Sequence, residues 1–114
     1  MKMNDSPSLT VETAASKFAA LGSEQRLQVL HTLVRAGREG LSIGTLGERS
    51  GITGSTLTHH LKILSAAGLV TQARQGRSII CAAADYQEVE ALSDYLLRQC
   101  CADSPVCHKD HAHG

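Results

Sequence analysis

The chain has 114 residues, 42% of them hydrophobic but with no tryptophan and one phenylalanine, and 11 basic residues balance 11 acidic ones to a formal net charge of zero. That length fits one domain, whose thin core of leucine, isoleucine, valine and alanine is expected to gain buried surface by forming a homodimer. No apolar run approaches the roughly 18 residues that a membrane span requires, and the amino end lacks the apolar stretch of a secretory signal, so a cytoplasmic protein with no membrane partner is expected.

Residues 1–10 read as a flexible amino-terminal arm. A first, alanine-rich helix is predicted from Val11 to Leu21, and Ser23 caps a second running from Glu24 to about Ala36, where Gly37 stops it. Leu27, Leu30 and Val34 are taken as its shared face. Ser42 to Ser50 supports a short helix with Ile43 and Leu46 inward, ended by Gly51. A turn through Ile52 and Thr53 leads to a fourth helix from about Gly54 to Ala67, stopped by Gly68.

Two helices joined by a short glycine-containing turn make a helix-turn-helix. At about 100° per residue, Leu57, Leu61 and Leu64 share an apolar stripe on the fourth helix, with Ser55, Thr58, His59 and Lys62 opposite. Short polar side chains at the helix's amino end suit a major groove roughly 12 Å wide. The wheel separates the two histidines: His59 lies on the exposed face, and His60 at the core edge, where it is expected to be packed and hydrogen-bonded.

Downstream, Leu69–Arg74 and Ser78–Ala82 read as strands joined through Gln75, Gly76 and Arg77, a hairpin with a basic tip. Set after a recognition helix, it is expected to act as a wing, with Arg74 and Arg77 contacting phosphates or the minor groove. From Asp85 to about Cys101 a last helix carries Val89, Leu92, Leu96 and Cys100 along one side. That stripe is expected to meet the first helix and a symmetry mate. The fold class is therefore mainly α with a small β-hairpin wing, a winged helix-turn-helix dimerising through its first and last helices, with the folded domain spanning residues 11–101.

The zero net charge conceals an uneven distribution. No acidic residue occurs from Arg49 to Ala84, whereas Arg49, Lys62, Arg74 and Arg77 do. A solvated helix face would be equally polar, but this acid-free stretch favours double-stranded DNA as the partner. Ser55, Thr56, Thr58, His59, Lys62, Arg74, Gln75 and Arg77 are the expected DNA-binding residues. The sequence shows no catalytic base, phosphate loop or cofactor motif, and no enzymatic activity is expected.

Three of the four cysteines crowd the carboxy-terminal end: Cys100, Cys101 and Cys107. In a reducing compartment such a cluster favours soft-ion binding or thiol chemistry over a disulfide framework. Adjacent cysteines on a continuous helix point about 100° apart, so a shared ion requires the helix to loosen. Pro105 and the run Ala102-Asp103-Ser104 favour that, and residues 102–114 read as a binding tail. Cys81 alternates within a strand and is expected to be a small buried hydrophobe.

The stretch Ser55-Thr56-Leu57-Thr58-His59-His60-Leu61-Lys62-Ile63-Leu64, continued by Ser65-Ala66-Ala67-Gly68-Leu69-Val70, resembles the recognition-helix signature of the ArsR/SmtB repressors. Phe18-Ala19-Ala20-Leu21-Gly22-Ser23-Glu24-Gln25-Arg26-Leu27 is similar to the same family's entry into its second helix. The resemblance covers about residues 11–100. It implies a dimeric winged helix that binds an operator and leaves it when an inducer, usually a metal or metalloid ion, binds.

Two familiar family sites do not transfer. The region corresponding to a third-helix Cys-x-Cys pair reads Leu41-Ser42-Ile43-Gly44-Thr45-Leu46, and Asp85 to Arg98 contains no histidine for a last-helix zinc site. The Cys-Cys-x5-Cys group resembles instead an arsenite-responsive branch whose three ligands lie at the end of the last helix. On that basis Cys100, Cys101 and Cys107 are the expected ligands of As(III), or of Sb(III), with a lone pair in place of a fourth donor. Zinc or cadmium is the alternative, since tetrahedral zinc takes a fourth donor and His108, His111 or His113 offers one. A thiol redox or persulfide sensor and a soft-metal carrier are the remaining readings.

Overall fold

The computed structural model describes residues 9–105. The elements in chain order are α1 (Val11–Leu21), α2 (Glu24–Ala36), β1 (Leu41–Ser42), α3 (Ile43–Ser50), α4 (Gly54–Ala66), β2 (Val70–Gln75), β3 (Ser78–Ala83) and α5 (Tyr86–Leu97). Side-chain oxygens open the first three helices. Thr10 accepts from the Thr13 amide at 3.1 Å, Ser23 from Arg26 at 3.3 Å and Ser42 from Thr45 at 3.2 Å, each satisfying a donor that has no partner within its helix.

The core gathers one face from each element. Val29 and Leu33 of α2, Leu46 of α3, Leu61 and Leu64 of α4, Leu69, and Cys81 of β3 are fully buried, and Leu92 of α5 closes the cluster. Each such leucine contributes about 1.5–3 kcal/mol relative to exposure. The winged helix-turn-helix architecture is thus the one the periodicity predicts.

Four details differ from expectation. The inward face of α2 is Val29, Leu30 and Leu33, while Leu27 and Val34 are 52% and 46% exposed. Leu30 belongs to both stripes. Pairing it with Val29 and Leu33 rotates the helix so that the half-buried Arg26 also turns inward.

The sheet has three strands, not two. β1 pairs antiparallel with β3 through Leu41↔Cys81 and Ser42↔Ile80, giving the order β1-β3-β2. The hairpin itself is longer than predicted, since Gln75 pairs with Ser78 and leaves a two-residue turn. Gly76 takes the first turn position at φ +62, a conformation that glycine supplies without steric cost.

The fourth difference is that α5 stops at Leu97, short of Cys101. Leu92 is buried, but Leu96 and Leu97 are 67% and 63% exposed, so no contact within this chain rewards a further turn. The backbone leaves the helix through successive three-residue turns: Cys100 N–H donates to the Leu97 carbonyl, Ala102 to Gln99 and Ser104 to Cys101. Gln99 and Cys101 both take positive φ, 64° and 66°.

Candidate DNA-reading surface and thiol cluster

The outward face of α4 carries the predicted recognition residues. Ser55, Thr56, Thr58, His59 and Lys62 are exposed, while Leu57, His60, Leu61 and Leu64 are buried. No acidic residue occurs in the first turn, so the helix's partial positive pole faces outward without an opposing carboxylate on its own first turn. The wing projects beside it, with Arg74, Gln75 and Arg77 all exposed. Gln72 donates its Nε2 hydrogen to Ser65 Oγ at 3.1 Å, a direct link between wing and recognition helix.

His60 is packed and hydrogen-bonded, as its place on the wheel predicts. Its Nε2 lies 2.9 Å from Gln25 Oε1 and its Nδ1 3.4 Å from an Arg26 guanidinium nitrogen. An amide oxygen only accepts and a guanidinium only donates, which assigns the neutral tautomer with the proton on Nε2. Burial holds the imidazole below its ordinary value of 6.5, and the charges of Arg26 and His59 push the same way.

Arg26 also donates through Nε to the Ala20 carbonyl at 2.6 Å, so one guanidinium bridges the end of α1 to the recognition helix. A second such contact comes from α1. Lys17, 6% exposed, donates to the Ala67 carbonyl at 2.6 Å and lies 3.7 Å from a carboxylate oxygen of Glu88. Sequence reasoning passed over Gln25, Arg26 and Lys17. The available signal was Arg26 standing three and four residues before Val29 and Leu30 on the inward stripe.

The loosened end of α5 brings Cys100 Sγ and Cys101 Sγ to 3.4 Å. Two thiolates sharing a tetrahedral ion at about 2.3 Å bonds stand roughly 3.8 Å apart, so one ion fits this pair with a small adjustment. Hydrogen bonding and electrostatic interaction with Cys101 raise the Cys100 thiol above its ordinary range, and slight burial adds to the rise. Cys81 is buried, its thiol likewise pushed up by burial, and it stays apart from the pair in the core.

Cys107, His108, His111 and His113 lie outside the described residues. So do residues 1–8, most of the expected amino-terminal arm. Among the described residues no three metal-ligating side chains converge, and no helix is long and apolar enough to cross a membrane.

Residues 21–73 match a family model described as a helix-turn-helix domain. The HTH-type transcriptional regulator NmtR of Mycobacterium tuberculosis is 32% identical over 99 residues, spanning 87% of this chain and 72% of that protein. The arsenical resistance operon repressor of Bacillus subtilis is 32% identical over 74 residues, 65% of this chain and 69% of the repressor. Among solved structures, an ArsR-like transcriptional regulator from Rhodococcus sp. RHA1 superposes with a TM-score of 0.66 at 32% identity, covering 81% of this chain and 82% of that one.

Proposed function

This chain belongs to the ArsR/SmtB family of winged-helix transcriptional regulators, which are DNA-binding proteins rather than enzymes, and from that premise we propose an operator-binding homodimer released by trivalent arsenic or antimony. The ligands in this reading are Cys100, Cys101 and Cys107. The observation that carries it is the thiol pair: α5 ends at Leu97, and in the turns that follow, the sulfurs of Cys100 and Cys101 come to 3.4 Å. The named arsenical resistance repressor among the relatives supports the same class of inducer.

On the DNA side, Ser55, Thr56, Thr58 and His59 read base edges in the major groove, and Lys62, Arg74, Gln75 and Arg77 position the protein on phosphates. Val11 and Phe18 of α1 and Leu96 and Leu97 of α5 are exposed, and in this reading a second copy covers them. Release is linkage. The ion binds the operator-incompetent conformation more tightly, and a coupling of about 1–3 kcal/mol weakens DNA binding roughly 5- to 150-fold.

The stoichiometry of protons separates arsenite from zinc. Arsenious acid and three thiols give a tris-thiolate and three waters with no net proton released. Zinc displaces a proton from each thiol it takes. With the Cys100 thiol raised, the protonated form is the starting state at neutral pH.

Arsenite affinity is therefore expected to stay level between about pH 6 and pH 8, whereas zinc affinity climbs with pH. Serine at Cys100, Cys101 or Cys107 is expected to impair arsenite-driven release without loosening the apo-protein from operator. Alanine at His108, His111 and His113 together should change little. Intact release after the triple serine change would overturn the site; sensitivity to the histidines would mark zinc, and release by oxidant in metal-free buffer a redox switch.

A further inference from the structure

Lys17 is the buried cation among the described lysines and arginines, and its ammonium occupies a junction of three helices. It rises from α1. It donates at 2.6 Å to the carbonyl of Ala67, the carboxy-terminal cap residue of the recognition helix α4, and it faces Glu88 in the first turn of α5 at 3.7 Å.

The end of α4 is built to receive this group. Leu69 N–H donates to the Leu64 carbonyl and Gly68 N–H to Ser65, the paired bonds of a Schellman termination, which leave the Ala67 carbonyl to Lys17. No basic residue occurs in the last turn of α4 itself, so the cation complementing its negative pole comes from another helix. Gly68 holds φ +78, and a Cβ there would stand 2.9 Å from the Lys17 ammonium. Glycine thus provides both the turn and the space.

An ammonium buried this deeply is costly when stripped of partners, so α1 and α5 do not slide past the end of α4 by degrees. They carry it along or break the contact. A contact that is either kept or broken is the kind of element that transmitted coupling requires.

We propose that Lys17 is the positioning residue that transmits the state of the α1 and α5 helices to the recognition helix, through its contacts with the Ala67 carbonyl and Glu88. The arsenite arm of its test rests on the proposed inducer site at the end of α5; the DNA arm does not.

In the DNA arm, operator and nonspecific affinities of the full chain are compared in a double-mutant cycle of Lys17→Met and Glu88→Gln. Glu88→Gln is expected to lower the operator preference about two- to fivefold when Lys17 is present, the range of a partly exposed ion pair, and to have no measurable effect in Lys17→Met. Equal effects in both backgrounds, or none in either, would overturn the proposal. If Lys17→Met fails to fold by circular dichroism, Lys17→Gln, which keeps a donor for the Ala67 carbonyl but removes the charge facing Glu88, takes its place.

In the arsenite arm, Lys17→Met should bind arsenite as the unaltered chain does while losing operator release from roughly 5- to 150-fold to under about twofold. Full release in Lys17→Met would also overturn the proposal. If the unaltered chain fails to bind arsenite, or binds it without release, the inducer reading fails and the cycle alone decides the role of Lys17.

Discussion

Arg77→Ala offers a direct reading of how the wing meets DNA. Arg77 stands in the two-residue turn between β2 and β3, exposed, and makes no hydrogen bond or ion pair among the described residues. Its removal therefore disturbs nothing in the folded chain. If each Arg77 neutralises one phosphate, a dimer loses two contacts, and the slope of log affinity against log salt becomes shallower by about 1.8, at about 0.9 per contact. Between about 50 and 200 mM salt, that difference means the variant loses roughly 12-fold less affinity than the unaltered protein. Fluorescence anisotropy across a salt series, with operator and scrambled duplexes in parallel, measures both slope and selectivity. The loss should be equal for the two duplexes, and Arg77→Lys should restore the slope. An unchanged slope in a folded dimer would remove the phosphate assignment, and a loss confined to the operator would make Arg77 a base reader.

Three further outcomes are expected. Because the folded pKa of His60 lies below its ordinary 6.5, the unfolded chain takes up the proton first; the stability tied to neutral His60 is full above pH 6.5 and declines as pH falls below it. Thermal melts over that range should fall more steeply in the unaltered chain than in His60→Gln, and parallel curves would contradict the assignment. Leu96→Glu should leave each chain folded, since Leu96 is 67% exposed, while sedimentation shows monomers and operator binding is lost at moderate concentration; a variant that stays dimeric would move the interface elsewhere. Cys81→Ser should release normally with arsenite but melt earlier, as a fully buried hydroxyl without a partner costs about 1–3 kcal/mol, and a release defect there would bring Cys81 into the effector site.

What the sequence disclosed followed from local rules. Serine caps and glycine stops marked the helices, and 3.6-residue spacing separated His59 from His60 across one helix, because adjacent side chains diverge by about 100°. What it concealed depended on partners distant in the chain. β1 has two residues, too few to show alternation, and exists because Leu41 and Ser42 meet Cys81 and Ile80. The face of α2 was ambiguous because Leu30 fits two stripes, and the choice is made by what α3 and α4 press against it. α5 carries apolar residues past its last buried contact, so its pattern outran its end.

The polar junctions were hidden for a related reason. Arg26 and Lys17 look like surface residues in any hydropathy count, yet each has a long apolar stem that packs while its charged end reaches a carbonyl. For Lys17 that carbonyl lies 50 residues away in sequence, at a helix end with no basic residue of its own in its last turn. Both cations reach toward α4 from other helices, α1 and α2. Helix α4 is thereby held by polar contacts at its middle through His60 and at its carboxy end through Ala67, while at its amino end Leu57 is buried and Ser55, Thr56 and Thr58 are exposed. If α1 or α5 rearranges, as the proposed coupling requires, these two contacts are the polar routes by which α4 feels it, and the hydropathy pattern conceals both.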